Sequence, residues 1–258
     1  MVNNLILTEQ IDGTTTLLTL NRPEKRNALT IELIESLCEL IHSLEAQPKQ
    51  RIVIIRGAGA GFCSGMDLQE ASRAELAEHS AHCVARLFNT ITQSPLISIA
   101  AAHGAAYAGG IGLLASCDFA IGADDLKLAF PEVRRGLVPA LVAALLRDRI
   151  REGDAKELFL TGEPITAARA QLMGLIHRVT PSELVMYEAC SISASVLKGA
   201  PDAVRSTKRL LRELRSTDLS QSLAEALHAH KQARGSAEAV EGLAAFLEHR
   251  EPIWKSPS

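Results

Sequence analysis

Aromatic residues are scarce in this chain, 3% of 258, with a single tryptophan. A core without them is built from Leu, Ile, Val and Ala. Cysteine occurs five times (Cys38, Cys63, Cys83, Cys117, Cys190), an odd and widely spaced set with no Cys-x-x-Cys pair. That excludes a disulfide framework and points to reduced thiols in a cytoplasmic protein. No His-x-x-x-His pattern with a third ligand is present, so no metal is expected. Neither sign of charge dominates: the net charge of −3 gives no reason to expect nucleic acid. Met1 to Leu7 lacks a basic stretch followed by an apolar one, so no signal peptide is read. No apolar run reaches the roughly 18 residues of a membrane span. One further absence is local. No carboxylate occurs between Gly104 and Cys117.

The residues that are present alternate strand and helix patterns. Thr14 to Leu20 is rich in β-branched residues and reads as a strand. Asn21-Arg22-Pro23-Glu24 is a turn, because Pro fixes φ and pushes the residue before it to an extended shape. Thr30 caps a helix whose Ile31, Ile34, Leu37, Ile41 and Leu44 follow the 3.6 period. Ile52-Val53-Ile54-Ile55 is a short, fully buried strand of the parallel type. Glycines at 57, 59, 61 and 65 predict a flexible loop, followed by a helix over roughly Arg73 to Gln93. A strand over Leu96 to Ala102 then leads into His103-Gly-Ala-Ala-Tyr-Ala-Gly-Gly-Ile-Gly112 and a helix ending near Cys117. Strands are expected at Phe119 to Ala123 and Leu126 to Phe130. Such alternation indicates an α/β fold with parallel pairing. Beyond about Ala140 the pattern becomes almost wholly helical. The tail from Lys255 to Ser258 is expected to fray.

The glycine-rich stretch carries the chemistry. Its glycines bring bare backbone N–H groups to a helix start, a place suited to a developing negative charge. A tight turn with no ligand is the alternative for this loop alone. A dinucleotide site fits worse, since no clean Gly-x-Gly-x-x-Gly opens a helix.

Three segments, in this order and spacing, resemble the crotonase superfamily, the enoyl-CoA hydratases and isomerases. They are Leu20-Asn21-Arg22-Pro23-Glu24-Lys25-Arg26-Asn27-Ala28-Leu29, Gly61-Phe62-Cys63-Ser64-Gly65-Met66-Asp67-Leu68, and the His103 stretch with its sequel Phe130-Pro131-Glu132. Leu160 to Ile165, Gly174 to Val179 and Phe246 to Trp254 extend the resemblance over nearly the whole chain. It implies a spiral of ββα units over 1–197 and a helical region over 198–258 that builds trimers or hexamers. It also implies an acyl-CoA substrate, with CoA as part of that thioester and no separate cofactor. Matched position by position, the amides of Met66 and Gly109 would hold a thioester oxyanion. Glu132 would be the catalytic acid/base. Lys25, Arg26, Ala28, Ser64, Asp67 and Leu68 would lie along CoA. Relatives often carry a lysine where this chain has His249.

The missing carboxylate then becomes specific. Two-glutamate hydratases of the superfamily carry a second Glu at the position matching Gly112, and a third acidic position of some relatives is Ala140 here. One base suits shifting a double bond from C3 to C2. Against that, Pro131 to Ala140 resembles branched-chain hydratases of the methylglutaconyl-CoA type. The expectation is an enoyl-CoA hydratase working with Glu132 alone. The alternatives are a 3,2-enoyl-CoA isomerase, an acyl-CoA decarboxylase or an inactive acyl-CoA-binding protein. Asp118 is expected to cap its turn, His103 to serve the loop geometry, and Cys63 and Cys117 to be core residues. Arg134 and Arg135 are open between a carboxylate partner and solvent.

Overall fold

Six strands pair in the order β1-β2-β3-β4-β6-β9 in a computed structural model that describes residues 5–214 and 218–255. They are β1 (Ile6–Asp12), β2 (Thr15–Leu20), β3 (Ile52–Gly57), β4 (Ile97–Ala102), β6 (Phe119–Ala123) and β9 (Arg178–Thr180). β1 is antiparallel to β2, and every later pair in this sheet is parallel. A second sheet holds β5 (Ala105–Tyr107), β7 (Lys127–Ala129) and β8 (Ile165–Thr166), in the order β5-β7-β8. Successive strands alternate between the sheets: β4 then β5, β6 then β7. That alternation, with a helix after each pair, is the spiral of ββα units.

The central strands are buried from end to end along β2 and β4, as sheets covered on both faces require. Helix α1 (Ile31–Glu45) begins where Thr30 Oγ1 accepts from Leu33 N and buries Leu33, Ile34, Leu37, Cys38, Ile41 and Leu44. Helix α2 (Leu68–Ala71) is one turn capped by Asp67, and helix α3 (Ala74–Gln93) turns Val84, Leu87, Phe88 and Ile91 inward. Helix α4 (Gly109–Ser116) is almost entirely buried. Helices α5 (Ala140–Leu146), α6 (Glu152–Thr161), α7 (Ala167–Met173) and α8 (Val185–Leu197) follow. Phe62 and Phe130 are the largest fully buried side chains in an otherwise aliphatic core.

The chain divides into two compact units, Met1–Cys190 and Ser191–Ser258. The second contains α9 (Pro201–Glu213), α10 (Leu219–Arg234) and α11 (Ala237–Leu247). Glu238 caps α9 by accepting from Asp202 N and Ala203 N, at 2.9 Å each. Arg250 forks onto both oxygens of Glu241 at 2.6 and 2.8 Å, and this pairing pulls the Glu241 carboxyl down to about 2. Of the tail expected to fray, Lys255 closes a 3-10 turn and pairs with Glu251 at 2.7 Å, whereas 256–258 lie outside the described residues.

One expectation changes. The glycine loop after β3 is closely packed rather than loose. A Cβ on Gly57 would lie 2.4 Å from the carbonyl oxygens of Gly61 and Phe62, so glycine is there for close approach. Asp118, expected to be structural, directs Oδ2 across to β4, accepting from Ser98 N at 2.8 Å and Ser98 Oγ at 3.0 Å.

Candidate active site

Three extended segments lie side by side and fix the site. Ser64 N donates to Arg26 O (3.0 Å), Leu29 N to Gly65 O (2.8 Å) and Asp67 N to Leu29 O (2.9 Å). On its other edge the middle segment meets β5: Phe62 N and Cys63 N donate to Ala105 O, and Tyr107 N donates to Cys63 O. β5 in turn pairs parallel with β7, Tyr107 opposite Ala129. Met66, Gly109 and Glu132 each follow closely on the end of one of these parallel segments. Residues far apart in sequence therefore reach one place.

Side chains pin the first two segments together. Asn27 is fully buried; its Nδ2 donates to Ala58 O and Gly61 O, and its Oδ1 accepts from Arg22 N. Arg22 also pairs with Asp67 at 3.1 Å and donates to Ala28 O at 2.6 Å. Burial works to raise the Asp67 carboxyl, but the Arg22 guanidinium and Gln69 N–H outweigh it and hold it below the usual range.

Two backbone positions then aim the amides. Gly65 has φ +86°. Ala108, the N-cap of α4, sits at φ 50° and ψ −119°, a conformation that costs a residue with a Cβ of order 1–3 kcal/mol. Three hydrogen bonds hold it there: Ala108 N donates to Ala129 O, and Ala108 O accepts from Ile111 N and Gly112 N. A Cβ placed on Gly65 would be 3.0 Å from Gly109 N, and one on Gly109 would be 3.6 Å from Met66 N, so the two amides are neighbours. Neither N–H has an acceptor among the described residues.

Glu132 stands on a 3-10 turn over Pro131–Arg135, just beyond β7. Its Oε2 is buried without a hydrogen-bond partner among the described residues. Burial pushes its carboxyl above the usual range, only partly offset by its own backbone N–H and by the nearby Arg135. A carboxyl with this environment is suited to exchange a proton with a carbon acid.

One cavity of about 770 Å³ joins these groups. The residues that the resemblance assigns to the oxyanion hole, the acid/base and CoA all line it: Lys25, Arg26, Ala28, Ser64, Met66, Asp67, Leu68, Gly109 and Glu132. Sequence reasoning missed Tyr107, whose three-residue strand hides inside the glycine stretch, and left open how α3 and the segment after Glu132 pack. Ala81 and Val84 of α3 and the run Leu137 to Val142 supply the apolar wall.

Position 112 is closed. A Cβ on Gly112 would lie 2.2 Å from Phe88 Cζ, so the Phe88 ring fills the space where a second carboxylate would begin. Gly112→Glu alone is therefore expected to destabilise the protein by about 3 kcal/mol or more, from overpacking plus an unpaired buried carboxyl. Combined with Phe88→Ala, the two costs should fall short of their sum, as a urea-denaturation double-mutant cycle would show. Strict additivity would contradict this packing.

The other readings settle plainly. His103 Nε2 contacts Gly59 O at 2.8 Å, a loop role. Cys63 and Cys117 are buried, and burial drives the Cys63 thiol up to about 12. Glu35, His79 and Cys83 come within 4.8 Å of one another between α1 and α3, but Arg86 already supplies a cation there, 3.2 Å from Glu35. No helix among the described residues is long and apolar enough to cross a membrane.

Comparison with known proteins agrees with this fold. The enoyl-CoA hydratase/isomerase family model matches residues 10–257. A putative enoyl-CoA hydratase of Thermus thermophilus is 36% identical, covering 90% of this chain and 94% of its own. The zebrafish (Danio rerio) enoyl-CoA hydratase domain-containing protein 3 is 33% identical over 98% of this chain and 89% of its own. The crystal structure of an enoyl-CoA hydratase from Mycobacterium smegmatis superposes with a TM-score of 0.93 at 29% identity, over 98% of this chain and 99% of that one. The family match over residues 10–257, with relatives at 33–36% identity along nearly the whole length, places the chain in the enoyl-CoA hydratase/isomerase family of the crotonase superfamily.

Proposed function

We propose that this protein hydrates a 2-enoyl-CoA, of the branched class, with Glu132 as its only side-chain acid/base. The observation that carries this is the unpartnered Oε2 of Glu132 in the same cavity as the unpaired amides of Met66 and Gly109. The two N–H groups form an oxyanion hole for the thioester carbonyl. Water attacks C3 while Glu132 takes one of its protons. Charge moves to the carbonyl oxygen, and Glu132 returns the same proton to C2. The hydroxyl stays on C3, and the carboxylate is regenerated. Lys25 and Arg26 supply cations for the CoA phosphates, and backbone near Ala28, Ser64, Asp67 and Leu68 borders the rest of the carrier. The hydratase names of similar proteins support the reading.

A second reading rests on Phe88 over Gly112. With one carboxylate, moving a proton between C2 and C4 of a 3-enoyl-CoA needs no activated water. A panel of straight and branched 2-enoyl- and 3-enoyl-CoA thioesters separates the two. Mass gain of one water from a 2-enoyl-CoA supports hydration. Conversion of a 3-enoyl-CoA without that gain selects isomerisation.

The second unit is proposed to join copies of the chain as trimers or hexamers. Leu219, Leu223 and Leu227 form one stripe on α10, and Val240, Leu243 and Leu247 another on α11, all exposed. Stripes this apolar ordinarily face a partner. Sedimentation at micromolar concentration should show a closed oligomer, and Leu223→Glu with Leu243→Glu should shift it toward monomer. A wild-type monomer would overturn the assignment.

A further inference from the structure

Outside the cavity of the candidate active site, one cluster of side chains has the composition of a metal site. His79 and Cys83 lie four residues apart on α3, so the helix presents them on one face. α1 packs against α3 and brings Glu35 to the same place. One imidazole nitrogen, one sulfur and one carboxylate oxygen thereby lie within 4.8 Å of one another. His79 Nε2 is 3.8 Å from Cys83 Sγ. On a tetrahedral zinc, with Zn–S of about 2.3 Å and Zn–N of about 2.0–2.1 Å, two such atoms stand roughly 3.6 Å apart. This pair needs almost no movement to share an ion.

Arg86 marks where the positive charge sits. Its Nη2 lies 3.2 Å from Glu35 Oε1 and 3.9 Å from Cys83 Sγ. Both members of that ion pair are about half-exposed, and such pairs hold weakly. A guanidinium also cannot take the lone pairs of imidazole and sulfur, whereas a metal ion accepts from all three groups at once. Cys83 is buried at the floor of the cluster, Glu35 is partly buried, and His79 is exposed at the rim, so an ion can enter from solvent. We propose that Glu35, His79 and Cys83 form a site for a thiophilic divalent cation, zinc by its donor set, which displaces Arg86 and staples α3 to α1. On binding, the Cys83 thiol releases its proton to solvent and ligates as the thiolate. Three protein ligands leave one position to water.

The effect reaches the cavity. α3 supplies Ala81 and Val84 to the acyl wall and lays Phe88 over Gly112. Val84 follows Cys83 directly, so an ion that fixes α3 fixes that wall. The site is independent of the reaction assigned to Glu132.

The test uses the whole, reduced, tag-free chain. Calorimetric titration with Zn²⁺ should show one site per chain that Mg²⁺ and Ca²⁺ do not contest. Co²⁺ should give a sulfur-to-cobalt charge-transfer band, which Cys83→Ser abolishes. Cys83→Ser and His79→Ala should each weaken zinc binding by about 100-fold or more, beyond the 10–100-fold of an outer-shell partner. Arg86→Gln should tighten it by about 2- to 5-fold, because an exposed ion pair no longer competes. His82→Ala, on the same helix but outside the cluster, should leave it unchanged. Saturating zinc should raise Tm by about 3 °C or more and slow amide exchange along α3, in the wild type but not in His79→Ala. Because His79 is exposed, that variant keeps the test valid if Cys83→Ser fails to fold. A wild type that binds no zinc overturns the proposal. So does affinity that survives both ligand substitutions, which would place the ion on other histidines. Affinity that does not rise in Arg86→Gln would overturn the displacement of Arg86.

Discussion

Glu132→Gln should lower kcat by about 10²–10⁴-fold, the usual worth of a positioned acid/base, and yet make the protein more stable at neutral pH. Both effects have one cause. Burial lifts the carboxyl above its ordinary 4.5, which means that the fold disfavours its ionised form. Between the ordinary value and the raised one, the folded protein binds more protons than the unfolded chain, so stability falls as pH rises through that window. Above it, the ionised Glu132 is a standing penalty, which glutamine removes. Below the ordinary value both states are protonated, and the advantage of glutamine disappears. Thermal unfolding of the two proteins across pH checks this, with Tm curves that diverge as pH rises. Activity runs the opposite way. Proton abstraction needs the carboxylate, so kcat/KM of the wild type should fall on acidification with a midpoint above the usual carboxylate range. A variant that is less stable than wild type at neutral pH, or that retains full turnover, would remove Glu132 from its role.

The proposed base was legible in the sequence, but its surroundings were only partly so. Long apolar or periodic segments announced themselves: β2, β3, α1 and α3 lie where β-branched runs and the 3.6 period put them. β1 escaped because only Ile6 of its seven residues is buried, so an edge strand shows no alternation to read. β5, β8 and β9 are two or three residues long, and no periodicity exists at that length. Yet β5 is the strand that carries Gly109 to Met66. The segment motifs found these residues without explaining the register that joins them. Gly112 was visible as a missing acid, but not as a place where Phe88 already lies, since that requires α3 to cross α4. The same holds for the arginine pair. In a loop, Arg134 and Arg135 would have no fixed relation to Glu132; the 3-10 turn puts Arg135, three residues on, on the face of Glu132 and turns Arg134 away to Thr161 and Glu163.

The amides themselves are tested most sharply at Gly65, which contributes no side chain to anything. Alanine there meets two separate obstacles. Its φ of +86° is unfavourable to any residue with a Cβ, a cost of roughly 1 kcal/mol or more. Its Cβ would also lie 2.8 Å from Tyr107 O, and 3.0 Å from both Ala108 Cβ and Gly109 N, so β5 and the start of α4 must move away from Met66. Moving one oxyanion donor out of place typically costs about 10²–10³ in kcat. Gly65→Ala should therefore lose activity on that scale while binding of the CoA end of the substrate, and hence KM, changes little. Gly174 provides the control, because it has the same φ of +86° but caps α7, and the contact closest to its Cβ is Arg149 O at 3.3 Å. Gly174→Ala carries the backbone penalty without disturbing the amides, so it should lose stability with kcat nearly intact. If the two variants lost kcat alike, the loss would belong to backbone strain in general. If Gly65→Ala kept its kcat, the stabilisation of the thioester would have to come from groups other than Met66 N–H and Gly109 N–H.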